Sequence, residues 1–238
     1  MRISRSAPLL AALAAALASA PSVRAQPTVL VFDARLQPAR PRGSGADSLL
    51  LERVARPAAR RRWRGVGDEC RDGFAVEDVA AGAFTRAGAR QRAFLYRYCR
   101  MGRVGGRGGV AVVEGGRVVA HVMMEGTQYG IRAARDVNRD GRDEMVLVDG
   151  STGQGITVET AALMQMAPRN DALVKLAAFP VGEDNCATRS AGARQDTNVI
   201  RARPGRAPRF YQQAYRAPCA GRPRWTPVGA LKPVTPER

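Results

Sequence analysis

The run VAVVEGGRVVAHVMM, residues 110–124, leaves the chain little choice of local structure. Apolar, largely β-branched side chains flank Gly115 and Gly116, and adjacent glycines supply the positive φ angles of a two-residue hairpin turn. Pairing across that turn sets Glu114 opposite Arg117 and Val113 opposite Val118. A hairpin is marginal alone, so the rest of the chain has to extend its sheet and cover it. The 15 prolines and 25 glycines favour many short elements joined by turns, and a hydrophobic content of 45% is enough to build a core. Further strands are predicted at Phe74 to Val79, Arg92 to Tyr98, Met145 to Val148, Ala161 to Met166, Leu173 to Phe179, Asn198 to Arg203, Phe210 to Tyr215 and Val228 to Val234. TVETAALMQM, 157–166, also satisfies a helix and is assigned to strand from its neighbours. One helix is expected from Asp47, whose side chain can cap it. Leu50 and Val54 lie at helical spacing, Pro57 bends or ends the element, and the arginines at 60–62 suit the negative end of its dipole. The fold class is therefore mainly β, with antiparallel hairpins and one N-terminal helix.

The N-terminal order of charges predicts export. Arg2 and Arg5 precede an apolar run from Leu9 to Ala18, and small residues at Val23 and Ala25 suit signal peptidase, with cleavage after Ala25 preferred to a cut after Ala20 followed by Pro21. No later apolar stretch is long enough to span a bilayer. Residues 1–25 are thus read as a signal peptide, 26–46 as a flexible arm rich in proline and arginine, and 47–238 as one β-rich domain, periplasmic or extracellular. Losing Arg2, Arg5 and Arg24 takes the formal charge from +17 to +14. The arginines are scattered and lack interleaved aromatic residues, which points to a solvated basic surface with weak attraction to anionic polymers and no specific nucleic-acid site. Cys70, Cys99, Cys186 and Cys219 form an even set, as expected of two disulfides in an exported chain. Three pairings are open, and Cys70 with Cys99 and Cys186 with Cys219 would each staple neighbouring strands. Zinc is the weaker alternative, since no two cysteines have knuckle spacing and His121 is the only histidine.

The segment DVNRDGRDE, 136–144, carries the clearest chemistry. Asp136, Asn138 and Asp140 alternate, Gly141 allows a sharp turn, the carbonyl of Arg142 is available, and Glu144 stands at the ninth position. Such hard oxygen donors suit calcium. The twelfth position is Leu147 where an EF-hand requires a bidentate acid, so the loop is of another kind. An acid at the ninth position followed at once by a strand resembles the calcium loop of FG-GAP and VCBS-type β-propeller repeats. Tyr129 and Gly130 resemble the aromatic-glycine pair that opens such a repeat, Ala133 and Ala134 its small residues, and Met145 to Val148 its apolar strand. The resemblance implies calcium held by Asp136, Asn138, Asp140, the carbonyl of Arg142, and Glu144, with a structural role. A degenerate copy covers about 82–97, with Gly88 over Gly141 and Phe84 over Val137, while Ala83, Thr85 and Ala87 replace the three ligands. With two recognisable repeats, an incomplete propeller or a sandwich-like arrangement is expected.

Catalytic signatures are sparse. Any histidine-dependent triad must use His121, which lies inside the hairpin strand and reads as a packed residue. Ser151 sits in DGSTGQG, a glycine-rich turn outside the context of a nucleophile elbow, and that segment lacks the ending of a phosphate loop. The expected function is an exported non-enzymatic module meeting a protein or polysaccharide. The alternative is a secreted hydrolase acting on an anionic substrate, prompted by the positive charge.

Overall fold

The structure, a computed structural model, describes residues 27–36, 43–63, 73–101 and 105–237. Its elements are β1 (Val29–Asp33), α1 (Gly45–Arg62), β2 (Ala75–Gly82), β3 (Gln91–Met101), β4 (Gly105–Glu114), β5 (Arg117–Glu125), β6 (Gly130–Ala134), β7 (Glu144–Gly153), β8 (Ile156–Met166), β9 (Leu173–Asp184), β10 (Arg194–Arg203), β11 (Arg209–Pro218) and β12 (Thr226–Val234), with a short 3-10 turn at Cys186–Thr188. The fold is mainly β, in two antiparallel sheets. β2-β3-β4-β5 make a four-stranded sheet, and β12-β11-β10-β9-β8-β7-β6 run in one continuous, curled sheet that β1 joins on β10. The hairpin at Gly115 and Gly116 has the expected register, Glu114 against Arg117 and Val113 against Val118. The ambiguous segment 157–166 is strand, within β8.

Three apolar layers are set by alternation along the strands. Ala93 and Leu95 of β3 turn one way and join Val110, Val112, Ile131, Met145, Leu147 and Met166 between the sheets. Phe94 and Tyr96 turn the other way, onto Leu51 and Ala55 of α1. β3 is thus buried on both faces, which is why it reads as a nearly continuous apolar run. The third layer fills the concave side of the larger sheet around Leu163, Phe179, Ile200 and Phe210. Curling is visible at β10. β9 pairs only with its first residues, 195–197, and β1 takes over the same edge from Val199 onward.

That edge corrects one expectation. Val29–Asp33 falls in the stretch read as a flexible arm, yet it is a strand with Val31 only 4% exposed, because its apolar run fills the gap that β9 leaves as it diverges. A second correction concerns α1. Ser44, not Asp47, is the N-cap, and Asp47 closes a capping box from the third helical position while pairing with Arg92 of β3 at 2.7 Å. The helix also runs through Pro57 to Arg62. Pro57 lies on the exposed face, where the carbonyl that loses its usual N–H partner is open to solvent rather than buried against the sheet.

Cys186 and Cys219 are bonded to each other, joining the β9–β10 and β11–β12 connections. Cys99 is also disulfide-bonded, and Cys70, its expected partner, lies outside the described residues, as does the expected signal peptide. No described helix is long and apolar enough to cross a membrane.

Candidate calcium loop

The chain between β6 and β7 is shaped by its own side chains. Asp136 Oδ1 accepts from the backbone N–H of Gly141 at 3.2 Å, Asn138 Oδ1 from that of Asp140 at 3.0 Å, and Asp140 Oδ1 from that of Arg142 at 2.9 Å. Each oxygen bonds a group two or five residues ahead, so the loop winds around its own donors. Gly141 at φ 87° makes the tightest bend, and Asp136 and Arg139 also have positive φ. Glu144 closes the loop from the mouth of β7. It is fully buried and accepts from the N–H of Val137 at 2.7 Å and of Asn138 at 3.3 Å. Burial pushes its carboxyl up to about 6, the charge of Asp136 pushes in the same direction, and the backbone donors oppose the rise.

The donor set consists of hard oxygens and suits calcium chemically. Among the described residues no three His, Cys, Asp or Glu side chains stand together as a ready-made metal group. The five expected ligands are therefore brought into one loop without forming a cage. Asp140 faces Arg142, at 2.8 Å, and Gln165 of β8, while Glu144 faces the loop backbone. Arg142 also donates from its other terminal nitrogen to the carbonyl of Met166 at 3.0 Å.

The segment 83–91 shares two features with this loop, although Ala83 and Arg86 lack the positive φ of Asp136 and Arg139. Gln91, buried at the start of β3, accepts from the N–H of Phe84 at 2.9 Å and of Thr85 at 3.0 Å, as Glu144 does from Val137 and Asn138. Gly88 takes a left-handed φ of 68° where Gly141 takes 87°. The two turns also touch. Asp143 and Ala83 exchange hydrogen bonds, Asp143 N–H to Ala83 O at 3.0 Å and Ala83 N–H to Asp143 Oδ2 at 2.8 Å. Sequence reading left out Gln91, although the alignment that sets Gly88 over Gly141 also sets Gln91 over Glu144, and it weighed Asp143 only as one of a carboxylate pair with Asp140 and Glu144.

The residues considered for catalysis lie elsewhere. His121 stacks on Tyr96 beneath α1, with Nε2 2.6 Å from the Tyr96 hydroxyl. Gly109 makes room for the pair, since a Cβ there would lie 2.6 Å from that hydroxyl and 2.3 Å from the carbonyl of Val122. Burial lowers the pKa of His121, and the charge of Arg61 adds to the effect. Ser151 is exposed on β7, paired with Val158 of β8.

A pH prediction follows from His121. The folded protein holds it neutral, so as pH falls below about 6.5 the unfolded chain takes up its proton first and stability declines. His121→Gln keeps an acceptor for Tyr96 without titrating. The difference in Tm between wild type and variant should widen against the wild type from pH 7.5 to 5.5, and a constant difference would show that His121 does not titrate across folding.

No family model, curated protein or solved structure matches this chain.

Proposed function

We propose that this chain is an exported, non-enzymatic β module whose 136–144 loop binds calcium and stiffens the sheet, leaving other surfaces for a protein or polysaccharide partner. One comparison inside the molecule carries the reading. Gln91 supplies the bonds that order the first loop with a neutral amide. Glu144 supplies the equivalent bonds with a fully buried carboxylate, although burying charge is costly. The charge is surplus to folding. It comes with the side-chain oxygens of Asp136, Asn138 and Asp140, whereas Ala83, Thr85 and Ala87 stand at the corresponding positions of the loop closed by Gln91. A cation gives that charge a purpose, and the resemblance to FG-GAP and VCBS-type loops points to the same ion. The carbonyl of Arg142 completes the oxygen set. Disulfide bonding fits an oxidising compartment.

Calorimetric titration of residues 26–238 with calcium tests the proposal. Binding with a dissociation constant of about 10⁻⁴ to 10⁻³ M is expected, and it should be lost in Asp140→Ala. Heat that persists unchanged in that variant removes the assignment.

A further inference from the structure

The apolar layer on the concave side of the larger sheet stops short at one end. Along β8 the face that carries Ala161 and Leu163 continues as Glu159 and Thr157, so apolar side chains give way to polar ones on the same surface. Two rows cross the sheet there. Glu159 stands opposite Gly182 of β9 and Gly182 opposite Thr197 of β10, while Thr157 stands opposite Asp184 and Asp184 opposite Gln195. Gly182 leaves a gap in the middle of the first row, and it lines a hollow of about 190 Å³. The connection between β11 and β12 walls the hollow with Pro223 and Trp225, and the Cys186–Cys219 bond ties that connection to the one between β9 and β10.

We propose that this hollow binds a sugar unit carrying a free ammonium group, a hexosamine of a polysaccharide. Its lining is rich in acceptors. Glu159, Glu183, Asp184 and Asp196 border it and no lysine or arginine does among the described residues, although the chain holds 38 of those against 21 acids. Only Asp196 is paired with cations, Arg194 and Arg216. Asp184 accepts from the N–H of Cys186 and the amide of Gln195, both neutral, and Glu183 has no side-chain partner among the described residues. Glu159 accepts from the Tyr129 hydroxyl through Oε1 and leaves Oε2 at the gap, where a Cβ on Gly182 would lie 2.8 Å from it. Such a set repels an anionic sugar or a phosphate, and a ligand that brings hydroxyl and ammonium donors completes it. A metal ion does not answer the same need, because among the described residues no three acids gather closely enough to hold one.

Trp225 narrows the class to a sugar. Trp63, the other tryptophan, is engaged by Tyr98, Arg107 and Glu125, whereas Trp225 is half-buried with no ring or hydrogen-bond partner among the described residues. A rigid apolar ring beside convergent polar groups offers a surface to the C–H face of a pyranose, and its π face favours a neighbouring cation. The hollow is smaller than a site for a drug-sized ligand, as a single ring requires.

The inference rests on the interaction-module part of the function proposed above, in its polysaccharide form, and not on calcium. The test titrates residues 26–238 with a glucosamine trisaccharide, in calcium and in chelator, with heat and tryptophan fluorescence as readouts. Binding should be at least tenfold tighter than that of the fully N-acetylated trisaccharide. Trp225→Ala and Glu159→Gln should each weaken it at least tenfold, and two variants on different elements guard against a folding defect in either. Trp63→Phe, which leaves Trp225 as the one tryptophan, should bind as the wild type does and change its fluorescence on binding. No binding at millimolar sugar, equal affinity for the acetylated sugar, full binding in both hollow variants, or equal binding of trilysine each overturns the inference. Binding that appears only after Arg40→Ala and Arg42→Ala also overturns it, since the chain's own arm would then be the occupant. Sugar binding that persists in chelator with no calcium uptake leaves it intact and overturns only the calcium reading.

Discussion

Asp78→Ala should destabilise the protein by about 3–5 kcal/mol, the usual cost of removing one partner from a buried charge pair. Asp78 is 0% exposed and serves three donors: its neighbour Val79 through the backbone N–H, Ile131 through the backbone N–H, and the guanidinium of Arg132. Two of these belong to the other sheet, so alanine leaves a buried N–H and a partly buried cation unpaired at the seam. Asp78→Asn retains an acceptor and should fall between wild type and alanine. Urea unfolding followed by circular dichroism gives the comparison, and a loss below about 1 kcal/mol would mean that the sheets are held together by apolar contact alone.

Glu144→Gln should separate folding from calcium binding. Because Gln91 already orders the equivalent turn, the variant should fold, and without calcium at neutral pH it should match or exceed the wild type by about 1–2 kcal/mol, the cost of a carboxyl raised from 4.5 to about 6. The sign is set by proton uptake. Between pH 4.5 and 6 the folded wild type binds more protons than the unfolded chain, so the relative stability from this group is full below 4.5 and is lost as pH rises through 6. The variant should lack that slope. With millimolar calcium the wild type should gain on the variant, by about 1.4 kcal/mol at 1 mM for a site of 10⁻⁴ M. Scanning Tm in calcium and in chelator reads both effects. Equal calcium shifts in wild type and variant would show that Glu144 takes no part in holding the ion.

The elements were legible in the sequence where one residue pattern had one physical outcome. Gly115 and Gly116 fixed a register because only a tight turn with positive φ fits between those apolar runs. The limits of β7 to β11 were drawn short because Asp184, Arg194 and Gln195 look like loop residues. They are strand residues because Asp184 and Gln195 pair across β9 and β10 and Arg194 pairs with Pro218 of β11. Val29–Asp33 could not be read, since its partner on β10 is more than 160 residues away along the chain and the gap it fills is made by the divergence of β9. The loop at 136–144 was legible from alternating oxygens around Gly141. The grip of Arg142 on Asp140 and the bridge from Asp143 to Ala83 were not, because each depends on which turn lies alongside. Gln91 shows a different limit, as a glutamine in a strand gives no sign of whether it is buried.

The bond between Cys186 and Cys219 changes what chain scission can do to this molecule. Arg189 is exposed, in the left-handed conformation, just after the short 3-10 turn, and so offers a trypsin-like protease an accessible backbone. Hydrolysis there would produce two fragments still tied by sulfur, with β10 and β11 paired beside β9 and β1. A nicked molecule would stay one covalent unit, heavier by a single water, until a reductant arrived, so damage at that turn would be silent in an oxidising compartment and would free the β10–β12 fragment to dissociate in a reducing one.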